Sequence, residues 1–179
     1  MNSLRNNAGA IVIGLLVVFV GSFLVTSLFK DDPKGGEYEP ATSPAAPVAP
    51  EAPVFREEGK LWFVSAKGDT ITSIAIEIAD NEAETTQGLM YRTAMDTLQG
   101  MLFSFPNEEP RAFWMKNTPL PLDIIFADAN GVIGSSQNYT TPYSEAALPS
   151  KKNAKYVVEV NAGFWDKFSL KEGDRIVFR

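Results

Sequence analysis

The 179-residue sequence contains neither histidine nor cysteine. A Ser-His-Asp triad, a Cys-His pair and a histidine-bound zinc are therefore excluded. Chemistry here must come from carboxyl groups, lysine, tyrosine or hydroxyls. Polar side chains cluster inside one otherwise apolar stretch, FWMKNTPLPLDIIF, from Phe113 to Phe126. Trp114 supplies an aromatic platform there, and Asn117, Thr118 and Asp123 supply groups that could fix a ligand. Arg92, at the end of ETTQGLMYR, and Glu159, inside YVVEVNAG, complete a candidate ligand-binding set. Aromatic faces with convergent polar groups suit sugars, whose apolar faces stack while their hydroxyls hydrogen-bond. Asp123 and Glu159 are also candidates for the carboxyl pair of a glycoside hydrolase.

A purely architectural role for the same residues stands beside these readings. Pro119 and Pro121 lack an amide donor, so Asn117 and Thr118 would satisfy the backbone of a chain reversal. Asp123 would then pair with Lys116 or Arg92. Met90, Met95, Met101 and Met115 could in principle offer thioethers to a soft metal, but their apolar neighbours fit core packing instead. Asp128-Ala129-Asn130-Gly131 lacks the other ligands of a calcium loop. No metal, cofactor or catalytic residue is assigned. A formal net charge of -6 argues against a nucleic-acid partner.

The elements that must position these residues are mostly short strands. LWFVSA (Leu61–Ala66) and TITSIAIEIA (Thr70–Ala79) read as a hairpin, with Ile74, Ile76 and Ile78 in period two. Asn81 and Glu84 have capping-box spacing for a helix running to about Met90, with Gly88 as a weak point. Strands are expected at Gly100–Pro106, Ala112–Asn117, Leu122–Asp128 and Val132–Tyr139, the last two joined by the hairpin signal Asn130-Gly131. Asn107 to Pro110 reads as a turn, and Thr140 to Asn153 as a long polar loop. Lys155–Val160 and Arg175–Arg179 are strands, with a short helix between Gly163 and Leu170. About eight strands with turn-sized links predict a β-rich α+β fold. It should be a mostly antiparallel β-sandwich or partly closed barrel with one or two short helices.

The segments ETTQGLMYR, GMLFSF, FWMKNTPLPLDIIF, YVVEVNAG and EGD occur in an order and spacing that resemble the bacterial and archaeal family called Domain of Unknown Function 192. The resemblance spans about Ile74 to Phe178. It implies a compact β-rich fold, often behind a signal or anchor segment in envelope proteins, and brings no agreed activity with it.

Three zones are expected along the chain. Residues 1–29 form a membrane anchor: Ala8 to Leu28 is uncharged, and as a helix would measure roughly 31 Å, the thickness of a bilayer core. A cleaved signal peptide is the rival, although its apolar region would be shorter. Residues 30–58 form a linker rich in proline, alanine and acidic residues, which cannot bury enough surface to order itself. Residues 59–179 form the globular domain. The expected whole is a single-pass membrane protein with its soluble domain on the extracytoplasmic side. It would bind a glycan, a peptide or an envelope protein without doing chemistry. A carboxylate-based hydrolase of envelope carbohydrate and an assembly factor acting through a sheet edge are the alternatives.

Overall fold

The computed structural model describes residues 53–179. The expected membrane anchor and most of the expected linker lie outside the described residues. Among the described residues no helix is long and apolar enough to cross a membrane. Seven strands form one sheet: β1 (Gly59–Val64), β2 (Thr70–Ala79), β3 (Gln99–Phe113), β4 (Leu122–Ala127), β5 (Ile133–Gln137), β6 (Leu148–Asn161) and β7 (Arg175–Phe178). Helix α1 (Glu82–Gln87) lies between β2 and β3, and α2 (Phe164–Lys167) between β6 and β7. The strand order is β5-β4-β6-β3-β2-β1-β7. Every pairing is antiparallel except that of β2 with β3. The sheet curls until its two ends meet: Ile133 N donates to the Asp174 carbonyl at 2.8 Å, and Ile176 N to the Gly131 carbonyl at 2.8 Å. The result is a half-barrel rather than a sandwich.

Local chemistry explains most of these elements and the places where they depart from expectation. Asn81 caps α1, its side chain accepting from Glu84 N at 3.0 Å, while Glu84 reaches back to Asp80 N at 3.3 Å. The helix stops at Gln87 because Gly88 takes φ 48°, ψ −137°, a conformation that only glycine enters freely. The chain from Asp80 to Leu98 then carries β3 back alongside β2, a crossover long enough for parallel pairing, which turn-sized links could not give. The expected turn at Asn107–Pro110 lies within β3, which continues unbroken to Phe113. The expected loop before Asn153 contains the start of β6, which pairs with that arm through two register shifts. The arm's prolines are tolerated where they interrupt a ladder already shifted out of register. Seven strands replace eight because the first change joins the expected strand Gly100–Pro106 to the start of the expected strand Ala112–Asn117, whose remainder, Trp114 to Asn117, lies beyond β3 outside the sheet.

Successive residues of a strand point to opposite faces, so the sheet has two packed sides. The inner side gathers Leu61, Phe63, Ile76, Leu102, Ile125, Val158 and Ile176 with Phe164 of α2, drawing on every strand. The outer side draws on β2, β3, β4 and β6 alone, and is covered by Leu89 and Met115 from the chain around α1 and after β3.

Candidate functional site

The outer face carries the chemistry. Strand register sets Glu77, Met101, Glu159 and Ile124 in one row across β2, β3, β6 and β4. At the usual strand spacing, the Glu77 and Glu159 backbones are separated by roughly 10 Å, with Met101 between them. Glu159 is 4 % exposed. Burial alone pushes its carboxyl up to about 8, with no hydrogen bond or ion pair to offset the loss of water. It lines a recess of about 40 Å³ together with Gly88, Leu89, Phe103, Phe113, Trp114 and Thr118. That volume admits about one water-sized group. Trp114 forms the wall on one side and remains 47 % exposed. On its other side lies an open hollow of about 310 Å³ between Ala112 and the Glu145–Ala147 loop. Lys116 Nζ sits 5.0 Å from the Trp114 ring and 3.9 Å from Glu145 Oε2.

Two strained backbone positions hold the recess in shape. Tyr91 and Asn117 adopt φ of 63° and 54°, and Tyr91 N donates to the Asn117 carbonyl at 2.7 Å. Asn117 Nδ2 reaches Met90 Sδ at 3.9 Å. Asparagine tolerates the left-handed region better than other residues with a Cβ, which accounts for its place here. Thr118 Oγ1 donates to the Lys116 carbonyl at 3.1 Å. Gly88 is needed for space as well as for φ: a Cβ there would stand 3.2 Å from Phe103 Cζ.

The six candidate residues thus separate into groups. Trp114, Thr118 and Glu159 share the recess, and Asn117 supports its rim. Arg92 stands nearby in an ion pair with Glu77 at 2.7 Å, not with Asp123. Asp123 belongs to the other side of the sheet. Its register partner is Val160, and it points with Ile125 into the inner face. Its Oδ1 accepts from Tyr139 N at 2.9 Å and its Oδ2 from Trp165 N at 2.9 Å. It therefore caps the start of α2, where Gly163 has no side chain to do so. Asp123 and Glu159 leave opposite faces, so they do not form a two-carboxyl catalytic site. Nor does Asp123 meet Asn117 or Lys116. Sequence reasoning missed Glu77, Met101, Gly88 and Phe103. Glu77 interrupts the small-residue face of TITSIAIEIA, the one local signal that could have marked it.

The same segments that carried the family resemblance converge here: Gly88 and Leu89 from the first, Phe103 from the second, Trp114 and Thr118 from the third, and Glu159 from the fourth. A family model, DUF192 (Uncharacterized ACR), matches residues 63–178. The chain belongs to the DUF192 family. Among solved structures, a proposed transcription regulator from Sinorhizobium meliloti 1021 is 35% identical with a TM-score of 0.65, over 70% of this chain and 98% of that one. A protein of unknown function from Novosphingobium aromaticivorans DSM 12444 is 30% identical with a TM-score of 0.62, over 66% of this chain and 83% of that one. No curated protein matches. The DUF192 domain therefore has a shared fold.

Proposed function

We propose that this DUF192 domain is a non-catalytic glycan-binding module, held at a membrane on its extracytoplasmic side by the apolar run Ala8–Leu28. Trp114 would stack on the apolar face of a sugar ring, and one hydroxyl would enter the recess to meet Glu159. The observation that carries this reading is the Glu159 carboxyl, buried without a partner in a recess walled by a half-exposed tryptophan. A protonated carboxyl can donate and accept at once, as a hydroxyl requires. A buried polar group left unpaired costs stability, so a site that keeps one is suited to a ligand that pairs it. The small recess suits one group of a larger molecule, with the hollow beyond Trp114 receiving a neighbouring unit.

The test is titration of the full-length protein with envelope oligosaccharides, followed by tryptophan fluorescence. Saturable binding is expected, lost in Trp114→Ala and in Glu159→Met. Glu159→Gln, whose amide also donates and accepts, should retain it. Binding to the natural protein should weaken as pH rises past about 8, where the carboxyl ionises and loses its donor. Binding that ignores both Trp114→Ala and Glu159→Met would refute the assignment.

A further inference from the structure

Beside the recess, past Gly88, lies a second and larger feature that the glycan reading does not use. Arg92 is only 3 % exposed. Its Nη2 pairs with Glu77 Oε2 at 2.7 Å, but Nε and Nη1 are buried with no hydrogen-bond partner. The guanidinium lines a groove of about 640 Å³ between the Pro53–Glu58 segment, β2 and α1. That volume falls in the range of pockets that hold small organic ligands. The segment on its far side is fixed to the sheet: Arg56 N donates to Glu77 Oε1 at 3.0 Å, Glu58 N to the Ile76 carbonyl at 2.9 Å, and the Phe55 ring lies 6.0 Å from Arg92 Cζ. The groove is thus a formed feature with two strong donors left idle.

The charges around it decide what those donors await. Arg56 and Arg92 face Glu58, Glu77 and Glu84 in the groove lining, so an added anion would meet one net negative charge. Those three carboxyls are already engaged, Glu77 by Arg92 and Arg56 N, Glu58 by Ile78 N and Glu84 by Asp80 N. Two guanidinium donors, Arg92 Nε and Nη1, are therefore unmet against one unbonded acceptor, Glu77 Oε2, which already lies in the ion pair with Arg92, so donors are in excess. Neutral carbonyl oxygens fit that excess. Ala79, Ala83 and Val54 leave apolar space for small side chains. We propose that this groove binds an extended peptide of small apolar residues, two of whose main-chain carbonyls accept from Arg92 Nε and Nη1. This site is independent of the glycan reading.

Isothermal titration of the full-length protein with acetyl-Ala-Ala-Ala-amide, against sodium acetate as the anionic probe, tests it. Saturable binding of the capped peptide and none of acetate is expected. Arg92→Lys keeps the positive charge beside Glu77 but loses the two idle donors, and should weaken peptide binding by about tenfold or more. Should Arg92→Lys fail to fold, Ala83→Trp, at an exposed helix position, fills the groove and should abolish binding at an unchanged melting temperature. Trp114→Ala, which should abolish glycan binding and lies outside this groove, should leave peptide binding intact, which separates failure here from failure of the glycan site. Acetate binding in place of the peptide, binding of neither probe, or full peptide affinity in Ala83→Trp would each overturn the proposal. The idle donors would then be those of an anion site or a water-filled hollow.

Discussion

Asp123 and Glu159 are both buried carboxyl side chains near the middle of one sheet, and they stand on its opposite faces. Each Asp123 oxygen accepts a backbone amide, one from Tyr139 and one from Trp165. No hydrogen bond offsets the burial of Glu159. The difference is one of partners, not of residue type or depth. A buried acceptor with two amide donors ties a loop and a helix start to a strand, and its surroundings are complete. A buried carboxyl without donors weakens its own fold, and a small recess beside it gives a ligand access to it. The inner face therefore serves architecture, while the outer face keeps a polar group in reserve.

The largest expected effect breaks the architectural half of that contrast. Asp123→Ala leaves two part-buried amides without the buried carboxylate that ties them to β4, and we predict a loss of about 2–5 kcal/mol in urea unfolding at neutral pH. A change under about 1 kcal/mol would show that the two hydrogen bonds do not tie the structure together. The opposite face should answer to pH instead. The carboxyl of Glu159 is raised from 4.5 to about 8 on folding, so the folded state holds its proton where the unfolded state has lost it. Its favourable contribution is complete below about 4.5 and disappears as pH climbs through about 8. Stability should fall across that window by an amount on the order of a few kcal/mol. Glu159→Met should remove this component of the slope, and parallel pH profiles for the two proteins would contradict the prediction.

Smaller effects sharpen the picture of the recess. Gly88→Ala forces a Cβ into a conformation reserved for glycine and against Phe103, and should destabilise by about 1–3 kcal/mol. It should also narrow the recess, so saccharide affinity should fall with it. Trp114→Ala should change stability least, by under about 1 kcal/mol, because half of the ring already faces water. Its consequence should appear in binding alone. A large stability loss there would assign Trp114 to the core instead.

What could be read from the sequence was whatever depends on near neighbours. The alternation of Ile74, Ile76 and Ile78 marks β2, Asn130-Gly131 marks the β4–β5 hairpin, and Asn81 with Glu84 marks the start of α1. The long arm of β3 was hidden because Asn107-Glu108-Glu109-Pro110 has turn composition. Only its pairing with the start of β6 makes it strand. At the site, Trp114, Thr118 and Glu159 were legible as unusual polar or aromatic residues near apolar ones. The row joining Glu77, Met101 and Glu159 was not, since it depends on the register of three strands far apart in the chain. Asp123 resembles a ligand residue in the sequence for a related reason. Its face of β4 is set by pairing with Val160, and its amide partners come from Tyr139 and Trp165, which no local spacing connects to it.

The account turns on a neutral carboxyl kept without partners beside Trp114. Its most direct measurement is the carbon-13 resonance of the Glu159 carboxyl, followed from pH 3 to 10 in the full-length protein and assigned by its absence in Glu159→Gln. The account predicts a midpoint of about 8. A midpoint near the ordinary glutamate value, about 4.3, would mean that Glu159 is solvated or paired. The outer face would then be as complete as the inner one.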